Sequence, residues 1–392
     1  MTRPLEGVRI VEVAEQGFVP SGVAVLADWG ADVVKIERPK GDGLRAVMPA
    51  GLVPDTGDFD FLVEQFNRNK RNLCLDLGAP GGRDVLLRLV EQADVFVTNQ
   101  LPQVRRKFQI EPDDLFAVNP RLVYARGHGQ GQRGPDAEAG GYDSVSYWSR
   151  SGIGHMLSAG RDSLVMQRPA MGDVPSGIVL AGGIAAGLVH VARTGEGTVV
   201  DVSLLACGMW TLAPDLVATS VLGKEPDSFS AAAVPRSPLV GQYLTRDGRW
   251  LLMTMLEPDK YWEPVCRALG LDDLVGSESR GGELRPRFED AIAGQDLDHW
   301  RPRFEEHGLI YAALANPPEV LVDPQVEANE YLMPHPHHDR ARLVASPVQF
   351  DDEAASVRRP APGRGEHTDE VLAEHGVADD EIDELRDAGT LG

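Results

Sequence analysis

Short runs of consecutive apolar residues alternate with longer amphipathic blocks through the N-terminal half of the chain. Residues 8–13, Val-Arg-Ile-Val-Glu-Val, predict a buried strand. Residues 20–29 form an apolar, small-residue block closed by Gly30, and predict a helix. Asp32 then opens Val-Val-Lys-Ile, a second strand ending at Glu37. Strand, helix and strand in this order make a βαβ unit and imply a parallel pair. The pattern recurs. Residues 73–77 are strand-like, and 81–92 carry Val85, Leu86, Leu89 and Val90 at helical spacing. Residues 94–98 predict a strand, 112–118 a short helix, 122–125 a strand, and 198–205 another. Such alternation predicts an α/β fold with a doubly wound sheet.

Gly and Pro divide the remainder. The stretch Gly127-His-Gly-Gln-Gly-Gln-Arg-Gly-Pro135 reads as mobile surface loop. Residues 206–236 read as a helix followed by a Ser/Ala/Pro linker. Residues 243–255 hold an Arg246-Asp-Gly248 hairpin signal, and 261–269 and 300–307 read as helices. Composition therefore delimits a second, smaller α+β domain at 225–325, with linkers at 206–224 and 326–340. The tail, 366–385, reads as two helices broken at Gly376.

Charge and composition narrow the classes. The formal net charge is −22 over 392 residues, which argues against nucleic-acid or anionic-membrane partners, since phosphate binding draws on clustered Lys and Arg. The richest apolar run, 178–189, is interrupted by glycines and falls short of the ~18 residues that a membrane helix needs. Cys74, Cys207 and Cys266 are widely spaced, form no metal motif, and read as small buried hydrophobes. With no apolar leader core at the start, these features predict a cytoplasmic protein. His335-Pro-His-His338 lies in a Pro-rich loop without neighbouring Cys or carboxylate in sequence, so no metal is expected.

Chemistry concentrates in Arg168-Pro-Ala-Met-Gly-Asp-Val-Pro-Ser-Gly177. Gly172 and a Val174-Pro-Ser-Gly177 turn place Asp173 where a helix begins, an end that favours negative charge. Asp173 is then either an N-cap, the commonest task of an Asp there, or a reactive carboxylate.

Several ordered segments resemble one family, the class III coenzyme A transferases, whose relatives include α-methylacyl-CoA racemase. They are Pro4-Leu-Glu-Gly-Val-Arg-Ile-Val-Glu12, Leu26-Ala-Asp-Trp-Gly-Ala-Asp-Val-Val-Lys-Ile-Glu-Arg-Pro39, Asn67-Arg-Asn-Lys-Arg71, Ala93-Asp-Val-Phe-Val-Thr-Asn99, Gly141-Tyr-Asp143, Gly172-Asp173, Val200-Asp-Val-Ser203 and Gly365-Glu-His-Thr-Asp-Glu-Val-Leu372. The resemblance implies a Rossmann-like, CoA-binding large domain over 1–205, completed by 330–392. It also implies ring-shaped subunits interlocked in a homodimer. The activity it implies is CoA transfer from an acyl-CoA donor to a carboxylic acid acceptor, through an aspartyl anhydride and an aspartyl-CoA thioester.

Residue by residue, the resemblance makes Asp173 the nucleophile, with Tyr142 and Asp143 at the thiol end of coenzyme A. CoA-binding positions fall on Arg38, Leu75, Asn99, Gln100 and Lys107, the last in the basic run Arg105-Arg106-Lys107. Where some relatives place a catalytic glutamine, this chain has Gly17, with Gln16 beside it. The racemase relative has a proton-abstracting histidine at the position of Tyr142, and tyrosine, with a pKa near 10, replaces it poorly. That favours transferase over racemase, and an intact Asp173 motif disfavours a non-catalytic CoA-binding scaffold. Missing the polyglycine loop of formyl-CoA enzymes near 235–265, the chain is not expected to use a formyl or oxalyl group. Tyr147, Trp148, Met156 and Trp210 read either as acyl-pocket wall or as core.

Overall fold

The computed structural model describes residues 2–226 and 237–392. Their contacts divide the chain into two compact units, Met1–Pro226 with Glu327–Gly392, and Asp227–Val326. In the first unit a strand forms near each predicted position, the third displaced from the expected 73–77 to Arg71–Cys74. The strands are β1 (Arg9–Val13), β2 (Asp32–Glu37), β3 (Arg71–Cys74), β4 (Val95–Thr98), β5 (Val123–His128) and β6 (Thr198–Ser203). They join in one parallel sheet of order β3-β2-β1-β4-β5-β6. The order reverses between β1 and β4, and open α/β sheets bind ligands at the carboxyl ends of strands beside such a reversal.

The α-helices of this unit up to residue 226 are α1 (Phe18–Asp28), α2 (Phe61–Asn67), α3 (Gly82–Glu91), α4 (Pro102–Phe108), α5 (Pro112–Phe116), α6 (Ile153–Ser158), α7 (Asp173–Thr194), α8 (Leu204–Thr211) and α9 (Ala213–Leu222). Parallel strands are buried on both faces, which is why they read as continuous apolar runs. On one face Ile10, Val33, Val95, Val97 and Val123 pack with Val19, Val23 and Leu26 of α1 and Leu180 and Ile184 of α7. On the other, Val11, Ile36, Leu73 and Phe96 pack with Leu86 and Leu89 of α3, and with Leu372 and Leu385 from the tail helices Thr368–Glu374 and Asp379–Asp387.

Four local expectations are corrected. Val174-Pro-Ser-Gly177 is the first turn of α7, because a proline there forfeits no intrahelical hydrogen bond. The helix therefore starts early and reaches 22 residues at a mean hydropathy of 1.8, long and apolar enough to cross a membrane by length and composition. In this chain it packs on α1 and the sheet. The 127–135 segment is not all surface loop: β5 continues to His128, and a side chain at Gly127 would strike Val19 Cγ2 at 2.4 Å. The 206–224 stretch is helical, as most of α8 and all of α9. Within 326–340, Leu332–Pro334 pairs antiparallel with Arg342–Val344. The Ser/Ala/Pro stretch at 227–236 lies outside the described residues.

In the second unit, strands Val240–Leu244, Trp250–Thr254 and Tyr311–Ala313 form an antiparallel sheet. Gly248 takes the left-handed turn conformation, φ 76°, between the first two. Helices Pro258–Leu269, Arg285–Ala293 and Leu297–Glu306 bury Trp262, Phe288, Trp300 and Phe304 against this sheet. All three cysteines are free and buried.

Candidate active site

The site begins where two helices cross. At α1 and α7 the chains approach so closely that a Cβ on Gly22 would lie 2.5 Å from the Gly177 carbonyl oxygen. One on Gly177 would lie 2.3 Å from Ser21 Oγ. Only glycine permits this approach. It brings the N-termini of both helices together, so that Asp173 Oδ2 packs over Gly17 and would meet a Cβ there at 2.4 Å. Gly17 thus supplies room that the nucleophile candidate occupies.

Gly172 is the N-cap of α7 and Asp173 is its first residue, with no capping bond from its side chain. The capping reading of Asp173 is therefore corrected. Its carboxyl group is pushed up to about 7, by burial first and by the Asp143 carboxylate second. Asp143 is buried and accepts a hydrogen bond from Gly172 N at 3.2 Å, which pins the start of α7. Gly172 also packs against Tyr147, where an added Cβ would come 2.6 Å from Cγ.

Asp173 faces a cavity of about 300 Å³ at the carboxyl ends of β1, β4 and β5. Gln16, Asn99, Gln100 and Tyr142 line it too, so the fold unites five of the expected positions with Gly17 at the floor. Tyr142 is 63% exposed. Asn99 acts on the backbone: its Oδ1 accepts from Glu15 N at 3.1 Å and its Nδ2 donates to Glu15 O at 2.6 Å. Beneath the same β1–α1 loop lies a buried ionic cluster. Lys35 Nζ donates to Ala14 O at 2.9 Å and to Asp42 Oδ2 at 2.8 Å, while Asp42 Oδ1 accepts from Gln16 N at 3.0 Å. Lys70 Nζ lies 2.8 Å from Glu12 Oε2 and donates to Pro20 O at 3.0 Å. Gln16 itself takes a left-handed backbone, φ 69°.

Three expected CoA positions stand outside the cavity. Leu75 is buried and bridges Leu391 of the tail. Arg38 is exposed at the end of β2, with its Nε 3.2 Å from Glu15 Oε1. Lys107 is exposed over the Phe108 ring. The basic run Arg105-Arg106-Lys107 is no free patch, for Arg105 is buried and paired with Glu111, and Arg106 is paired with Glu138. Of the aromatic candidates, Tyr147 and Trp148 are buried in the core while Trp210 is 80% exposed. At the His335 loop the fold adds Glu64, whose Oε2 lies 3.2 Å from His335 Nε2. No group of three metal-ligating side chains occurs among the described residues.

Sequence reasoning passed over two cavity residues. Glu15 and His128 both line it. His128 Nε2 lies 3.3 Å from Asp201 Oδ1, and Gln132 Nε2 lies 2.6 Å from its Nδ1. Burial holds its pKa below the usual value despite Asp201, so the ring is neutral. The only signal for His128 was its place at the end of β5, hidden by the glycines around it.

Comparison with known proteins gives a consistent result. The model of CoA-transferase family III matches residues 5–368. The chain is similar to (R)-2-hydroxy-4-methylpentanoate CoA-transferase of Clostridioides difficile, at 29% identity over 98% of this chain and 98% of that protein. It is similar to human succinyl-CoA:glutarate CoA-transferase, at 29% identity over 99% of this chain and 90% of that protein. Among solved structures, a CAIB/BAIF family protein from Brucella suis superposes with a TM-score of 0.80 at 25% identity, over 96% of this chain and 100% of that one.

Proposed function

The chain belongs to CoA-transferase family III, and we propose that it moves coenzyme A from an acyl-CoA thioester to a free carboxylic acid through Asp173. The observation that carries this reading is the Asp173 carboxylate, pressed over Gly17 in a cavity and raised to about 7. A carboxylate in that environment is poorly solvated and free to attack.

The reaction balances in four steps. Asp173 attacks the thioester carbonyl, the C–S bond breaks, and a mixed anhydride and CoA thiolate result. The thiolate attacks the Asp173 carbonyl and releases the donor acid as its carboxylate, leaving an aspartyl-CoA thioester. The acceptor carboxylate attacks that thioester and again expels the thiolate. The thiolate then attacks the acceptor's carbonyl, which frees Asp173. No net proton is consumed. Asp173 Oδ2 packs over Gly17, the N-cap of α1, at a helix start whose dipole favours the negative charge that develops there. Asp143 holds Gly172 and so positions the nucleophile. Tyr142, exposed at the cavity wall, borders the thiol end. The same reading carries an interlocked homodimer, supported by the exposed apolar surface of α8 and α9.

The test is Asp173→Asn with an acyl-CoA and a carboxylate acceptor. Transfer should fall roughly a thousandfold or more, as for removal of a nucleophile. Wild type incubated with acyl-CoA should yield a hydroxylamine-trappable adduct on Asp173. Near-normal turnover in the variant overturns the mechanism.

One observation favours a second reading. His128, a neutral base, shares the cavity with Asp173, and a racemase needs two bases about one α-carbon. Both ring nitrogens already have partners in Asp201 and Gln132, which weakens it. Incubation with a 2-methylacyl-CoA in deuterated water separates the two. Asp173-dependent deuterium uptake at the α-carbon without transfer to any acid establishes the racemase.

A further inference from the structure

We propose that Arg133, on the glycine-rich loop that follows β5, receives a phosphate of coenzyme A beside the cavity. The inference rests on the CoA-transferase reading and adds the residue that holds the phosphate-bearing end.

Coenzyme A is a polyanion, and this chain carries a net charge of −22. Its phosphates therefore need a cation placed locally, against the field of the whole protein. The cavity wall provides none. Among the described residues that line it there is no Lys or Arg, while Glu15 and Asp173 are both there. The cation must stand just outside. Four guanidinium groups lie within two residues of a lining position, those of Arg105, Arg106, Arg126 and Arg133. Arg105 is buried and paired with Glu111, Arg106 is paired with Glu138, and Arg126 is paired with Asp201. Arg133 is exposed and has no partner among the described residues. Farther off, Arg38 is taken by Glu15 at 3.2 Å, and Lys107 lies over the Phe108 ring at 5.2 Å.

The loop holds this charge beside the site. Gly129 and Gly141 close its neck, where a Cβ on Gly129 would lie 2.6 Å from Gly141 Cα. Both line the cavity, as do Gly131 before Arg133 and Ala137 after it. Gly131 and Gly134 have φ of 106° and 96°, and a side chain at either would meet nothing within 4 Å, so the tip that carries Arg133 stands in open space. Its shoulders are tied down. Gln132 Oε1 accepts from Arg105 Nη2 at 3.0 Å. Asp136 pairs with Arg150 at 2.7 Å, and Glu138 pairs with Arg106 at 2.9 Å. These bonds fasten the loop to α4 and to the helical segment Ser144–Arg150. They also occupy the loop's own two acids, so neither neutralises Arg133. A guanidinium offers phosphate two parallel N–H donors. Phosphates are costly to desolvate and stay at an exposed edge, while the thiol end reaches in to Asp173.

Calorimetry on the whole protein with free coenzyme A as the probe tests this. At about 10 mM salt, Arg133→Gln should weaken binding roughly 10-fold, as for loss of one charge-assisted contact, and Arg133→Lys should recover most of that affinity. The gap between wild type and Arg133→Gln should close to within about twofold near 1 M salt, where the Debye length is ~3 Å. A merely structural role would persist at high salt. Dephospho-coenzyme A separates the two kinds of phosphate. A gap that vanishes with this probe assigns Arg133 to the ribose phosphate, and one that persists assigns it to the diphosphate. Equal affinity of wild type and Arg133→Gln at low salt, or a loss that salt leaves unchanged, overturns this inference and leaves the transferase standing. A wild type that binds coenzyme A but passes it to no acid overturns the transferase reading alone. A wild type that does not bind coenzyme A overturns both.

Discussion

Asp173 illustrates how one residue can serve chemistry at the expense of stability. Its carboxyl rises from 3.8 to about 7 on folding, through burial and Asp143. The folded chain therefore holds that proton more tightly than the unfolded one, and stability falls as pH rises from about 4 through about 7. Asp173→Asn removes this loss. Its melting temperature should exceed that of wild type at about pH 8, and the difference should close towards about pH 4. A constant offset across that range would contradict the assignment. The same titration sets the rate: kcat/KM should rise with pH to a plateau above about 7, as the carboxylate forms. Gly17 is tested separately. Gly17→Ala inserts a Cβ 2.4 Å from Asp173 Oδ2, so the nucleophile must shift. A displacement of that size costs on the order of 100-fold in kcat, with a small effect on KM. The position of Asp173 was legible in the sequence as a carboxylate between Gly172 and a proline, but its burial was not. That depends on α1, whose Ser21 lies 152 residues away along the chain. The role of His128 was illegible for the same reason, because Asp201, 73 residues further on, reaches it only through the pairing of β5 with β6.

At the scale of elements, the strands were legible because a parallel sheet buries both faces, which leaves an unbroken apolar run with little ambiguity. The helix starts were less so. Val-Pro-Ser-Gly reads equally as a turn and as the first turn of a helix, and only the packing of Gly177 on Ser21 and Gly22 decides between them. The β1–α1 loop is the element on which the site depends. Its backbone is held from below by Lys35 through Ala14 O, by Asp42 through Gln16 N, and from the side by Asn99 through Glu15. Burial alone would lower the pKa of Lys35, but Glu12 and Asp42 raise it above its ordinary value, so it is charged at all working pH. Lys35→Met would leave Asp42 and Glu12 with one buried cation between them, Lys70, itself lowered by burial to about 8. Removing one partner of a buried ion pair costs about 3–5 kcal/mol. Denaturant unfolding of Lys35→Met should show a loss of that order. A loss below about 1 kcal/mol would mean that the cluster is dispensable to the loop.

The molecule as a whole carries a net charge of −22 yet leaves a large apolar surface uncovered. Trp210 of α8 is 80% exposed, and Val217 and Val221 of α9 are 62% and 79% exposed. No residue of α9 is buried. Sequence patterning could not foresee this, since a helix rich in Leu, Val and Ala normally lines a core. An exposed apolar patch of this kind marks an interaction surface. A homodimer is the occupant that the proposed function supplies, and mutual burial would overcome the repulsion between two strongly acidic chains because exposed charges are screened beyond about 8 Å at physiological salt. Sedimentation equilibrium at micromolar concentration should therefore return twice the 42.5 kDa chain mass. Replacing Trp210 and Val221 together by Asp places two charges in the contact and should return a monomer that retains its far-ultraviolet circular dichroism. A wild-type monomer, or a double variant that stays dimeric, would assign this surface to something other than a second copy of the chain.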